Sequence, residues 1–537
     1  MGWNSWALIL YLVLIALVLP AIVGNIGGSD PVGYHLVYAE EWAKAGRLVV
    51  DPFLRVPFYA SNFVLVFAEL LALGGSHFVN FLAWGMALLS VLGVYSASEI
   101  VLTKRTSSAI ASTMAFGLAL SVILSPTQLR WMDTAYIDIP IGAFALFAVI
   151  GVLVAFWERN AAWLFASAAL AGFLVGMKGS FIALLPVFAI LIWLCTQFLG
   201  VQRRITVLAL GLLVVTASPW YLRNLVMAGD PVPPVINIAR FGRDGLMTKG
   251  EWQREAADLS RPHSPIGFIT LPFRAFFDPL SRDFRENGTT AIMLLLFLPA
   301  SAVLIRFALG YGVDPPQVLT AVAVSLLAAY WSATSSLLRY ASLFYPTLAV
   351  AVACVVAVFP LPRKGWSGVA LSCVALLMSI TSPGSWSFLR HDVLQRVKDL
   401  PLAYSNDDSY MSRFSGGYRE MLFAVWYMRT NHVAGRVYTL GLRNQYDFAE
   451  RGIQAIGDWV GVGGYFRLYR AVAGRMAPRY LASLDVHAIV VDPDAGIPAM
   501  AIPLERQLLR AGFRKVRIPQ SRDLLFVDAA KGHDAES

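Results

Sequence analysis

The chain has 537 residues, of which 57% are hydrophobic and only 14% charged, with a formal net charge of +9. So little charge excludes an ordinary soluble domain, and repeated long apolar runs describe a polytopic α-helical membrane protein. The positive balance is accounted for by basic cytoplasmic loops, since no basic–aromatic module suited to nucleic acid occurs.

Taken in order, apolar runs lie near Trp6–Val23, Phe78–Leu102, Ser108–Ser125, Ile139–Trp157, Ala162–Met177 and Ser180–Leu199. Others follow near Ile205–Tyr221, Thr290–Ile305, Val318–Trp331, Tyr340–Phe359 and Trp366–Ser379. The first lacks the basic start and small-residue cleavage site of a signal peptide, so an uncleaved span is expected. Phe58–Leu73 carries Asn62 and Glu69 and reads as a re-entrant or interfacial helix. With that segment left out, Lys104-Arg105, Glu158-Arg159, Arg203-Arg204, Arg306 and Arg363-Lys364 all fall in one set of short basic loops. Short basic loops stay cytoplasmic. The expectation is therefore about eleven spans, an N-terminus inside and a C-terminal part outside. Counting Phe58–Leu73 as a span would put every basic pair outside.

The opposite loops gather nearly all the unusual polar residues. They comprise Gly27–Trp42 with Asp30, Tyr34, His35, Glu40 and Glu41; Ser125–Asp138 with Asp133; and Met177–Ser180 with Lys178. They also include Ser218–Asn224 with Arg223, the long loop to Thr289, and Ser335–Tyr340 with Arg339. Each has a bland reading: an acidic interfacial loop, helix-start carboxylates favoured by the dipole, or basic side chains snorkelling at helix ends. Their convergence on one face of a charge-poor bundle argues for a site, because an ionised group near the bilayer centre costs about 3 kcal/mol or more. Carboxylates can take a proton or hold a metal, and cations can bind a lipid phosphate.

From about Pro383 the composition turns soluble. Arg436–Leu440, Ala488–Asp492, Lys515–Ile518 and Leu524–Val527 read as strands, with helical segments at Tyr480–Leu484 and Leu504–Ala511. The expected division is a membrane domain over 1–382, with outer loops 26–77 and 223–289, and a small extracytoplasmic α/β domain over 383–537. The Gly457…Gly464 run reads as an ordinary loop, lacking the Lys and the strand–loop–helix context of a phosphate loop. Asn287-Gly-Thr289 is a glycosylation sequon of consequence only in a eukaryotic secretory compartment. The cysteines Cys195, Cys354 and Cys373 sit in apolar runs and read as small core residues.

The motifs Asp30 with Tyr34-His35, Tyr136-Ile-Asp138, Gly176-Met-Lys178, Pro219-Trp-Tyr-Leu-Arg-Asn224 with Gly229-Asp-Pro231, and Arg339-Tyr340 occur in an order that resembles a known family. They look like the C-class integral-membrane glycosyltransferases, in the branch of the protein O-mannosyltransferases and bacterial aminoarabinose transferases. The resemblance covers roughly Met1 to Phe359 and extends loosely to the C-terminal domain. Where the mannosyltransferase branch often carries an acidic pair, this chain has Asp30 followed by Pro31.

The resemblance implies a sugar donor linked to a polyprenyl phosphate and an acceptor hydroxyl on a glycolipid, polysaccharide or protein, with inverting transfer on the outer face of a bacterial inner membrane. Asp30 and Asp138 are the implied catalytic residues, with Asp30 as general base on the acceptor hydroxyl or as the group that orients it. Lys178, Arg223 and Arg339 are the implied partners of the leaving phosphate. Asp133 and Asp138 are implied to position the acceptor, and Tyr34, His35 and Tyr340 to line the substrates. No cofactor is demanded; a divalent cation, Mg or Mn, on Asp30 and Asp138 is the alternative left open. Two other classes compete. A lipid or polyprenyl-linked sugar flippase predicts essential polar groups at mid-membrane and internal repeats, neither evident here. A non-catalytic scaffold predicts freely replaceable outer carboxylates.

Overall fold

The computed structural model describes residues 30–51, 60–74, 78–125, 131–132, 134–233, 235–241, 297–334, 338–358, 417–442, 445–457, 464–492 and 498–529, with a few single positions between these stretches. Among the described residues, four helices are long and apolar enough to cross a membrane: Val79–Thr103, Asp138–Trp157, Gly179–Leu199 (opening with a 3-10 turn) and Arg203–Ala228. Ser108–Ile123, Ala162–Val175, Pro315–Trp331 and Tyr345–Ala357 are shorter apolar helices. The runs Trp6–Val23 and Trp366–Ser379, two of the expected spans, lie outside the described residues, as do Asn287–Thr289, Cys373 and positions 458–463.

Small residues let these helices approach. A Cβ at Gly151 would press on Ser167, and one at Gly172 would collide with Thr216 of the Arg203–Ala228 helix. Backbones that close gain packing where lipid offers no hydrophobic contrast. The segment read as re-entrant folds as an 11-residue helix, Asn62–Ala72, capped by Ser61, whose Oγ accepts from the Val64 N–H. Its length is about 16 Å, half of the ~30 Å hydrocarbon core.

Among the described residues, the two sets of loops lie at opposite ends of the bundle. Asp138 starts a 20-residue helix that ends at Trp157, about 30 Å away. At the Trp157 end, Lys104 Nζ stands 5.7 Å from the Trp157 ring centroid. Arg105 pairs with Asp314 at 3.7 Å, at the start of the Pro315–Thr334 helix. Arg203 and Arg223 are likewise separated by most of one helix.

The C-terminal residues form a five-stranded sheet. Its strands are β1 (Arg436–Leu440), β2 (Ala455–Gly457), β3 (Val486–Val491), β4 (Phe513–Arg517) and β5 (Leu524–Asp528), ordered β2-β1-β3-β5-β4. β1 runs parallel to β2 and β3, whereas β5 is antiparallel to β3 and β4. Parallel neighbours need crossovers. Gln445–Glu450 supplies the β1–β2 crossover; Gly464–Ala473 and Ala477–Ser483 supply that from β2 to β3. Strand alternation buries both faces: Tyr438, Ile489 and Phe526 pack with Leu468, Leu481 and Leu504 on one side. Val437, Val490 and Val527 pack with Met421, Val425 and Met428 on the other. Sequence patterning locates four of these strands to within about two residues and misses β2, which is only three residues long.

This sheet is seated on the Pro31–Ala45 segment. The crossover helix Gln445–Glu450 packs against the turn Pro31–His35 and the helix Leu36–Ala45. Tyr446 is buried in the same apolar cluster as the membrane helices. Lys44 Nζ donates to the Ala449 carbonyl at 3.1 Å.

Candidate active site

Asp30 opens a wide helical turn, Pro31–His35, which runs directly into Leu36–Ala45 and is ended by Gly46 in the left-handed conformation (φ +60°). Its carboxyl-bearing residue is only 6% exposed and His35 2%. The Tyr34 and His35 rings lie 4.3 Å apart. The Asp30 backbone N–H points at the Tyr136 hydroxyl, 3.5 Å away. Tyr136 in turn packs on Trp131, with centroids 4.4 Å apart. Asp138, 4% exposed, stands two residues on in the first turn of its helix, where the dipole favours a negative charge. The fold thus brings Asp30 to the Tyr136–Asp138 segment, more than a hundred residues away.

The cations arrive by two other routes. Gly142 shares a helix face with Asp138. A Cβ there would collide with the Ser342 carbonyl, so the 3-10 turn Leu338–Leu343 lies close against that face. The turn carries Arg339 and Tyr340, and Lys178 Nζ sits 3.7 Å from the Tyr340 ring centroid. Lys178 therefore covers an aromatic face beside this turn. The Arg339 side chain lies outside the described residues, as does Asp133.

Arg223 occupies the far end of the Arg203–Ala228 helix, half-buried, with its guanidinium 5.3 Å from the Trp220 ring centroid. Nη1 donates to Asn224 Oδ1 at 3.4 Å, and Asn224 Nδ2 donates to the Phe58 carbonyl at 3.0 Å. Trp220 stacks on Trp42 of the Leu36–Ala45 helix at 5.5 Å and 25°. Tyr221 ties the Arg223 helix to the Lys178 loop, its hydroxyl donating to the Val175 carbonyl at 2.7 Å. The following Gly229-Asp-Pro231 has a structural task. Gly229 ends the helix at φ +68°, and Asp230 accepts from the Val232 and Asn237 N–H groups at 2.8 and 2.9 Å.

A second acidic pair, Glu41 and Asp51, not singled out by the motifs, acts on Tyr38, which also feels the Arg223 charge. Burial and the Asp51 and Glu41 carboxylates push the Tyr38 phenol well above its ordinary range, opposed by the Arg223 charge. Burial, then the charge and hydrogen bond of Asp51, push Glu41 up to about 8, against the pull of Lys44. Gln454 of the C-terminal unit reaches the same pair, donating to Asp51 Oδ2 at 3.5 Å. Asp447 on the crossover helix is raised to about 7 by burial and then by Glu450, with Arg451 opposing. Raised carboxyl pKa values mean that the folded protein holds the more protons. Stability is then full below the ordinary carboxylate range and is lost as pH rises through about 7 to 8. The melting temperature in detergent is expected to fall between pH 5.5 and 9. Glu41→Gln with Asp447→Asn should flatten that slope; an unchanged slope would refute the assignment.

Among the described residues, no three His, Cys, Asp or Glu side chains are grouped to hold a metal ion. Asp30 and Asp138 would supply two of the oxygen ligands of a hard cation, with water and substrate phosphate supplying the others. Sequence reasoning names Trp42, Asn62, Trp220 and Tyr221 but gives none of them a role in the site. The Pro219–Asn224 run contains the signal for two of them, since Trp and Tyr next to an Arg at a helix end are suited to fixing it in place.

No protein-family model matches the sequence, and no curated protein matches it significantly. Solved structures do match. ArnT from Cupriavidus metallidurans, bound to undecaprenyl phosphate, is similar with a TM-score of 0.56 at 13% identity, over 99% of each chain. The archaeal oligosaccharyltransferase AglB from Archaeoglobus fulgidus, with an inhibitory peptide and a dolichol-phosphate, aligns with a TM-score of 0.54 at 13% identity, over 98% of this chain and 74% of that one. The Archaeoglobus fulgidus oligosaccharyltransferase in complex with Zn and sulfate gives a TM-score of 0.54 at 15% identity, over 97% and 73%. The resemblance to the C-class integral-membrane glycosyltransferases drawn from the motifs is thus matched by a fold that this chain shares, along nearly its whole length, with ArnT and AglB.

Proposed function

We propose that the chain is a membrane glycosyltransferase that moves a sugar from a polyprenyl-phosphate-linked donor to an acceptor hydroxyl. The observation that carries this reading is the fold shared with undecaprenyl-phosphate-bound ArnT, together with the placement of Asp30, Asp138, Lys178 and Arg223 at one end of the bundle. The acceptor oxygen attacks the anomeric carbon on the side opposite the phosphate. The bond from that carbon to the phosphate oxygen breaks, its electron pair leaves with the polyprenyl phosphate, and configuration inverts. The acceptor proton passes to the Asp30 carboxylate. Lys178, Arg223 and Arg339 offset the charge growing on the phosphate. Tyr34, His35 and Tyr340 line the site, and Asp133 and Asp138 orient the acceptor, a hydroxyl of an envelope glycolipid, polysaccharide or protein.

The reading places about eleven spans in a bacterial inner membrane, with the site and the 383–537 domain on the periplasmic face and the basic loops inside. In a cysteine-free background, a Cys at Ser483, exposed on the C-terminal unit, should react with an impermeant thiol reagent added outside. One at Ser107, exposed beside Lys104-Arg105, should react only after the membrane is opened. The reverse pattern would invert the topology. The function itself is tested by reconstituting the protein in liposomes with undecaprenyl-phosphate sugars and candidate envelope acceptors. Transfer releasing undecaprenyl phosphate supports the reading; movement of intact donor between leaflets without transfer replaces it by a flippase.

A further inference from the structure

Asn62 joins three pieces of the site that come from distant parts of the chain. It begins the short helix Asn62–Ala72, next to the Ser61 cap. Its backbone N–H donates to the Gly176 carbonyl at 2.9 Å, and its Nδ2 donates to the Phe173 carbonyl at 2.8 Å. Its Oδ1 accepts from the Trp220 indole at 2.6 Å. Phe173, Val175 and Gly176 end the Ala162–Val175 helix, where carbonyls lack intrahelical partners. Asn62 takes the first and third of these carbonyls, and the Tyr221 hydroxyl takes the second at 2.7 Å.

Two residues beyond Gly176 stands Lys178; three beyond Trp220 stands Arg223, its charge 5.3 Å from the Trp220 ring centroid. We propose that Asn62 is a positioning residue that sets the spacing between Lys178 and Arg223, and so the cradle for the donor phosphate. This rests on the glycosyltransferase reading above. The chemistry at the position is demanding. One side must donate to a carbonyl and the other must accept from an indole, and a primary amide does both without taking up a proton. A carboxylate would keep the indole bond but set an anion against the Phe173 carbonyl. The neighbour is equally constrained: a Cβ at Gly176 would collide with the Asn62 amide.

The experiment uses the full chain in detergent, with undecaprenyl phosphate as probe and its affinity measured by titration calorimetry. Asn62→Asp, which preserves shape, and Asn62→Leu are each expected to weaken binding about tenfold, the scale of one lost buried hydrogen bond. In a Lys178→Ala, Arg223→Ala background the same changes should add nothing, because their effect runs through the two cations. A loss of equal size in both backgrounds would mean general disruption and overturn the inference. So would wild-type affinity in the Asn62 variants while the double alanine variant binds poorly, an outcome that leaves the donor reading standing. If the double alanine variant binds as tightly as wild type, the donor reading itself fails and the positioning role with it.

Discussion

Asp30→Asn is expected to lower the turnover of sugar transfer by about two to four orders of magnitude while leaving donor affinity intact, the range a general base contributes. The amide keeps the shape of the carboxylate and removes its basic oxygen. Asp30 is 6% exposed and opens the turn on which Tyr34 and His35 stand. The substitution is nearly isosteric, so a folding defect is not the expected cause of the loss, and unchanged melting will show this. Donor affinity should survive because the cations assigned to the phosphate lie on other elements. Asp138→Asn separates the remaining roles: a loss rescued by added Mg2+ points to an ion, and an unrescued rise in acceptor KM points to positioning. Turnover by Asp30→Asn within a factor of a few of wild type would dismiss the base.

Lys178→Ala and Arg223→Ala should each weaken undecaprenyl-phosphate binding by roughly 30-fold, corresponding to about 2 kcal/mol for a charge-assisted contact. The alternative for each is structural. Lys178 lies 3.7 Å from the Tyr340 ring centroid, and Arg223 lies 5.3 Å from that of Trp220. If those ring contacts were the whole task, the alanine variants would melt lower and bind the lipid phosphate as before. Arg339→Ala belongs in the same series, because Arg339 sits in the turn that brings Tyr340 to Lys178. Affinity and melting temperature measured together decide between the two roles; unaltered affinity in all three variants would remove the phosphate assignment.

Class and the division of the loops into two sets are legible in the order of residues alone. Apolar run length reports burial in lipid, and the spacing of basic pairs separates the loops into two sets that lie at opposite ends of the Asp138–Trp157 helix. These are one-dimensional properties, set by how many residues cross the hydrocarbon and where charge interrupts them. Strand alternation in β1, β3, β4 and β5 is local in the same sense, whereas β2 has three residues and too little period to be seen. The family motifs carry the fold expectation, and ArnT and AglB share it.

Which polar residues meet is a different matter. Asn62 reads as an awkward residue in an apolar run, yet it is the amide on which Phe173, Gly176 and Trp220 converge. Glu41 reads as part of an acidic loop, and its raised pKa comes from burial against Asp51, ten residues away around the turn at Gly46. Asp447 and Tyr446 give no signal in the sequence, because their burial exists only once the C-terminal unit rests on the Pro31–Ala45 segment. A sequence states which residues can carry charge, donate or accept. Whether a buried amide finds both its partners, or a carboxyl loses its water, depends on segments more than a hundred residues apart being held within about 3 Å, and only the packed helices decide that.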